Sequence, residues 1–370
     1  MKTRLAGCFL FILLFISASC LAQTGILPDP QETLSTFAGA RLYSRTLETE
    51  DESETAQQFV VPLFLRGSIT EDLSIRIYQT VSSSQLEDGP SLSGLESTRI
   101  QASFSLPGDS VMAYLGASLP IVGTDPEIET AHLSNLLYSD ALGFGVSKLT
   151  EGLDLDAGFA FAQAFGDFSL GFGAGYIFRG KYDTLLYGEE LVDYNPGDAI
   201  NASAGFHFGS AVASLRGRGV YVHYMDDAVE EDETFKSGDE ISFLASAAFD
   251  LDPLGVMIFV ADTMKADSDA LQEGLTISNL FRNRLNGGVS LAFELLDEIL
   301  ILKAQASGKV FLDEDSDVDA QVAYMGGGFQ IVPINDLTVD ILGSLILGNM
   351  DAGDTDISGF NLGLIINYGF

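Results

Sequence analysis

Cysteine is nearly absent from this 370-residue chain, and the only two, Cys8 and Cys20, fall within the first twenty residues. That excludes a disulfide framework and thiol chemistry from everything downstream. Tryptophan is missing altogether, so any interfacial aromatic girdle must come from Tyr and Phe. No segment strings together eighteen apolar residues, which excludes a transmembrane helix. Histidine occurs three times, as His132, His207 and His223, with no recognisable Ser or Asp triad beside any of them. An enzyme is therefore not expected, and no residue spacing implies a cofactor. Cations are scarce: 18 Lys and Arg stand against 53 Asp and Glu, a formal charge of −35. Such a chain repels nucleic acid.

What is present conflicts with a soluble protein at first sight. Mean hydropathy is positive, +0.23, despite the charge. The two are compatible because the charge is segregated. Acids crowd into 48–54, 226–233, 313–319 and 351–356, and the chain between is apolar, Gly-rich and nearly uncharged. At the N-terminus Lys2 and Arg4 precede the apolar stretch Leu5–Ile16, followed by the small residues of Ser17–Ala22. This reads as a secretory leader over 1–22, cut after Ala22. Acylation at Cys20 is the alternative, although the Leu usual three residues earlier is replaced by Ser17.

Period-2 alternation marks sixteen strands. The first eight are 37–46, 58–67, 72–82, 97–106, 110–119, 153–164, 168–181 and 199–208. The second eight are 211–224, 240–250, 254–264, 284–295, 299–310, 320–331, 337–348 and 358–370. Fourteen or eighteen strands are the alternatives. Ala141–Leu149 also alternates, but as a strand it would break the parity, so it belongs inside the third long loop. Short turns such as Phe165–Asp167 alternate with longer acidic stretches at 47–57, 83–96, 120–152, 182–198, 225–239, 265–283, 311–319 and 349–357. Sorting connections by length onto two rims is the sidedness of a transmembrane up-and-down antiparallel β-barrel, with short periplasmic turns and long extracellular loops. The organisation is then a leader (1–22), a short periplasmic segment (23–36) and a barrel (37–370). Clear lipid-facing sets are Phe168, Leu170, Phe172, Ala174, Tyr176, Phe178; Ile200, Ala202, Ala204, Phe206, Phe208; and Ile241, Phe243, Ala245, Ala247, Phe249.

The last strand carries Phe360, Leu362, Leu364, Ile366, Tyr368 and Phe370 on one face, with Gly and Asn on most of the other. It resembles the C-terminal strand of bacterial outer-membrane β-barrel proteins. The resemblance implies residence in the outer membrane, contact with its lipid, and recognition of this strand by the barrel-insertion machinery. Porins of this size are often homotrimers, and the small outward residues Ala202, Ala204, Ala245 and Ala247 offer a subunit interface, with lipid as the simpler neighbour.

The scarce cations sit mostly within strands on the inward phase: Arg41, Arg66, Arg76 and Arg99 on four successive strands, then Arg179, Arg216, Arg218 and Lys303. If the longest loop folds inward, its Asp125, Glu127, Glu129 and Asp140 would face the first four. That arrangement is similar to the constriction of general diffusion porins, without their Pro-Glu-Phe-Gly-Gly motif. A wall of internal ion pairs is the alternative role. The expected function is passive diffusion of small polar solutes or ions. Two others stay open: a transporter of hydrophobic compounds similar to the fatty-acid transporters, for which 23–36 is too short to form a hatch, or a structural, surface-interacting barrel without an open pore. Asp313–Asp319 spaces carboxylates like an EF-hand but lacks its Gly and its bidentate acid, so no specific metal site is expected, only weak divalent binding at the acidic loops.

Overall fold

The computed structural model describes residues 34–50, 52–106, 110–120, 130–146, 152–186, 190–210, 212–229, 232–270, 276–277, 282–296, 299–313, 316–334, 336–350 and 353–369. Residues 1–33, which include the span expected as a leader, and Phe370 are among those outside them. The first eight staves of the barrel are β1 (Leu34–Glu48), β2 (Ser53–Ser68), β3 (Leu73–Leu86), β4 (Thr98–Ser105), β5 (Val111–Leu119), β6 (Asp154–Phe165), β7 (Phe168–Phe178) and β8 (Ala199–Gly209). The others are β9 (Ala213–Tyr224), β10 (Glu240–Asp250), β11 (Leu254–Lys265), β12 (Asn283–Leu295), β13 (Leu300–Leu312), β14 (Val318–Ile334), β15 (Leu337–Met350) and β16 (Thr355–Gly369). Each pairs antiparallel with the next, and β16 returns to β1 in a ladder from Ser35↔Gly369 to Glu48↔Asp356. The sheet is closed, so its staves leave no edge for lipid to meet.

The alternation expected from sequence fixes which side chains meet lipid. Phe159, Phe172, Phe208, Phe243, Ile258, Leu345 and Leu362 are large, apolar and exposed, and cross-strand pairing places them on one continuous outer face. The three sets named above all lie on it. Asp262, paired with Phe243, and His223, paired with Ile200, share that face close to the rim with long loops, where a bilayer gives way to headgroups and water. On the other rim, connections of two to five residues join successive staves. In the tightest, Gly166-Asp167, Gly166 adopts φ +66, a left-handed conformation that a side chain would disfavour.

The long-loop rim differs from expectation in two ways. First, four stretches expected as long acidic loops are short, because the ladders continue beyond the apolar belt. β1 and β2 stay paired to Glu48↔Ser53, leaving 49–52; β3 pairs with a further short strand, Ser91–Leu95, leaving 87–90; β13–β14 leave 313–317, and β15–β16 leave 351–354. Above the belt the outward positions, such as Thr46, Thr55, Asp356 and Ser358, turn polar while inward Leu47, Ala56 and Ile357 pack on the third loop, so the apolar-outward alternation is lost while hydrogen bonding persists. Second, the stretches 182–198, 225–239 and 265–283 build a six-stranded antiparallel sheet of their own, from Tyr182–Leu186, Glu190–Asn195, Asp226–Val229, Asp232–Lys236, Ser268–Ala270 and Thr276–Ile277. The buried Asp227 carboxylate anchors it, accepting from the Tyr194 hydroxyl and, at 2.5 Å, from the Gly197 amide. Burial and that carboxylate push the Tyr194 hydroxyl far above its ordinary range, so it stays a donor.

The closing seam gives a test of the architecture. A Cβ on Gly359 would collide with the Ser44 carbonyl of β1, whereas one on Gly363 would meet only Arg41 Cγ at 3.7 Å. Gly359→Val is expected to destabilise the barrel by about 1–3 kcal/mol, seen as a lower urea midpoint for loss of the heat-modifiable gel band. Gly363→Ala is expected to leave that midpoint in place.

Candidate functional site: the lumen and its inward loop

The third long loop enters the barrel. Within it, helix α1 (Ala131–Tyr138) is followed by an irregular run to Val146. Leu133, Leu137, Ala141, Leu142 and Val146 are all buried. Their partners are inward side chains of the staves. Ala141 and Leu142 join Phe311, Ala320, Val322, Ile346 and Ile357 from β13 to β16. Leu133 and Leu137 join Ala56 and Leu86 from β2 and β3, and Val146 joins Tyr43 and Val60. Phe144 packs against all three groups. Over 141–146, the described part of the alternating stretch Ala141–Leu149, the alternation comes from a loop with apolar residues spaced by Gly143 and Gly145. Both glycines are required where they stand. Gly143 has φ +59, and a Cβ there would meet Tyr324 Oη at 2.8 Å; one on Gly145 would strike the Tyr43 ring at 2.7 Å.

Polar staples hold the loop against the wall. Arg45 is fully buried. Its Nε donates to Leu142 O at 2.5 Å, Nη2 to Gly143 O at 3.2 Å, and Nη1 to Ser44 O at 2.9 Å and Phe360 O at 3.2 Å. The guanidinium also lies 5.3 Å from the Phe144 ring centroid. A buried cation needs this density of acceptors. Gln58 grips the backbone of Val146 twice, donating to its carbonyl at 2.7 Å and accepting from its amide at 2.9 Å. At the loop's surface His132 Nε2 meets Glu54 at 2.9 Å, and Asp140 accepts from Arg284 on β12 at 2.5 Å.

By the pairing register, the cations expected to face inward fall on the phase opposite the exposed apolar set. Arg66 and Arg76 stand opposite each other across β2 and β3, near the short-turn rim, and Arg99 pairs with Tyr78 one step above. Arg41 sits higher, opposite Val60 and Gly363. Arg216 and Arg218 line β9 across from His207 and Gly205. Two cations have acid partners: Arg99 approaches Asp156 at 3.3 Å, and Lys303 is bonded to the fully buried Asp340. Arg179 lies one residue beyond the end of β7 and reaches over Tyr224, an inward residue of β9. β7 ends at Phe178 because Asp198 accepts from the Arg179 amide at 3.1 Å and Asp154 from the Gly180 amide at 3.1 Å; the guanidinium lies at the rim, 5.7 Å from the Tyr224 ring centroid. Asp140 meets Arg284 rather than the four arginines expected to face it. Asp125, Glu127 and Glu129 lie outside the described residues. Sequence reading missed Arg45, Lys265, Arg284 and Lys309 as inward groups, although Arg45 is four residues from Arg41 and so on its face.

The opposite inner wall is built of small side chains. Ala160 pairs with Gly173, and Gly173 with Ser203; Gly158 pairs with Gly175, and Gly175 with Asn201. Tyr114 lies flat over this patch, its Oη 2.5 Å from where a Cβ on Gly158 would be. The histidines are dispersed. His207 faces inward beside Arg216, while His223 faces outward and contacts Asp239 at 2.9 Å, not the Asp226 and Asp227 that follow it in sequence. Among the described residues no three His, Asp or Glu side chains converge as a metal site would require.

No protein-family model matches the chain, and no curated protein does. Solved outer-membrane barrels share its general shape at low identity. OprB of Pseudomonas putida is 12% identical, covers 91% of this chain and 94% of its own, and gives a TM-score of 0.49. A FadL homologue of Pseudomonas aeruginosa is 10% identical, covering 92% and 91%, with a TM-score of 0.46. OmpT of Vibrio cholerae is 10% identical, covering 94% and 100%, with a TM-score of 0.44.

Since Arg45 is fully buried and supplies donors to two loop carbonyls, Arg45→Met is expected to cost about 2–3 kcal/mol. The readout is limited proteolysis of folded protein. Cleavage within 131–146 should appear in Arg45→Met, and in Gln58→Leu to a lesser degree, while the parent loop is protected. Equal protection in all three would place the loop's anchorage elsewhere.

Proposed function

We propose that this protein is an outer-membrane channel for passive diffusion of small polar solutes or ions. One observation carries the reading. The described contacts of the inward loop fall on β1–β3 and β12–β16, while the facing wall of β6–β8 is mostly Gly, Ala and Ser, with Asp156, Asn201 and His207 among them. A loop held to one side narrows the passage, and small side chains on the other side leave room for solvent. A sixteen-stranded barrel is wide enough for an aqueous lumen. The inner surface also suits water better than a hydrophobic cargo: Arg41, Arg76, Gln101, Asn201, Arg218 and Ser242 all face inward. The long-loop rim is then the extracellular one and the short turns are periplasmic.

The test is conductance of refolded protein in planar bilayers. Discrete steps are expected. Replacing 131–146 by a short Gly-Ser linker is expected to enlarge them, because that segment occupies part of the cross-section. Absence of steps in both proteins would reject a channel. Equal step sizes would mean that the loop does not bound the path.

A further inference from the structure

The chain is strongly acidic as a whole, yet its passage is lined with cations from end to end. Near the extracellular rim, Lys265 and Arg284 occupy inward positions at the tops of β11 and β12. Lower on β9 come Arg218 and then Arg216, and at the periplasmic rim Arg66 and Arg76 are paired across β2 and β3. Inward acids offset the cations at some heights: Asp156 is matched to Arg99, Asp340 to Lys303 and Asp140 to Arg284, and Glu240 stands opposite Lys265, whereas Arg66 and Arg76 face each other and Arg216 and Arg218 follow one another on β9. The excess of acid lies instead in the connections, at 48–54, 226–233, 313–319 and 351–356.

We infer that the channel selects small anions, carboxylate- or phosphate-bearing solutes included, over cations of the same size. This rests on the channel reading above. Three physical points support it. Charges facing a narrow lumen with low-dielectric walls act on a passing ion more strongly than charges on exposed loops. At physiological ionic strength the field of an exposed acid decays over about 8 Å, so acidic loops slow anion entry without setting the sign of the interior. Guanidinium groups present a planar fork of donors that fits carboxylate and phosphate. Adjacent residues on one strand face, Arg216 and Arg218, therefore provide consecutive stations, as charged rings do in selective pores.

Reversal potentials measured across a KCl gradient decide it. The parent should pass chloride in preference to potassium, and added succinate or inorganic phosphate should reduce chloride current in a concentration-dependent way. Arg216→Ser with Arg218→Ser is expected to lower the chloride-to-potassium permeability ratio roughly threefold or more. Arg66→Ser with Arg76→Ser is a second, independent variant should the first not fold, with the same expected direction. Lys181→Ser, whose ammonium lies outside the barrel 3.5 Å from Asp193, should leave the ratio unchanged. Steps with potassium preferred, or a ratio insensitive to both double variants, would overturn the inference while leaving a channel in place. Absence of any step would overturn both.

Discussion

A sheet in lipid has nowhere to hide an unpaired backbone amide, and the rest of this molecule follows from that constraint. The ladder must close, so β16 has to meet β1 along its length, and the Gly359 position at the seam tolerates nothing larger because the Ser44 carbonyl occupies the space. Once the sheet is closed, every stave residue is either outside or inside. The outside must be apolar over the bilayer's thickness. Polar side chains then have two refuges, the loops and the lumen, and this sequence fills each with a different charge. The hydropathy that seemed incompatible with so many acids is the average over an apolar outer face and hydrated ends.

The lumen poses the opposite problem, because a wide ring of inward side chains cannot fill its own centre. The third long loop addresses this by bringing its own apolar residues inside. Leu133, Leu137, Leu142 and Val146 do not pack on one another alone; they complete clusters begun by Ala56, Val60, Phe311 and Ile346. A core of this kind resembles that of a soluble domain turned to face a barrel wall. Burial alone would not fix the loop's register, however, since apolar contact is non-directional. Direction comes from Arg45 and Gln58, which hydrogen-bond to named backbone atoms at Leu142, Gly143 and Val146. Gly143 and Gly145 permit the approach to Tyr324 and Tyr43.

Much of this was readable from residues, and the boundary between readable and unreadable has a physical cause. Inside the bilayer, lipid on one face and water or packed loop on the other impose a strict two-residue period, so stave positions, phases and the inward direction of Arg41, Arg66, Arg76 and Arg99 follow from sequence. Above the bilayer lipid no longer holds the outward face apolar, and the inward face of β1, β2 and β16 packs on the third loop. There the period carries no information, and the continued ladders of β1, β15 and β16 and the second sheet look like loops. The pairing of Tyr194 with Val229, or of Phe235 with Ala270, joins segments from separate loops, and nothing local encodes it. Arg45 was within reach: two arginines four apart on a strand share a face. What could not be foreseen is that one would face solvent-accessible lumen and the other a loop. The distinction depends on height in the barrel, which the third loop's path decides. The same applies to Asp140, whose partner Arg284 lies on a stave far from the first four.

Height also resolves the tension between an acidic chain and a basic interior. Along the axis the charge changes sign, from carboxylates in the connections to guanidinium groups on the staves. At the long-loop rim the two populations meet, Arg284 with Asp140 and Lys265 opposite Glu240, whereas Arg66, Arg76, Arg216 and Arg218 lie lower on the staves, where the screened field of the loop acids has decayed. Formal charge sums them and reports only the larger. A passing solute instead meets them in sequence, and the field it feels longest is that of the wall, where water is confined and the walls polarise little. Net charge therefore describes how the protein repels other surfaces, whereas the position of each charge in the alternation governs what the barrel's interior attracts.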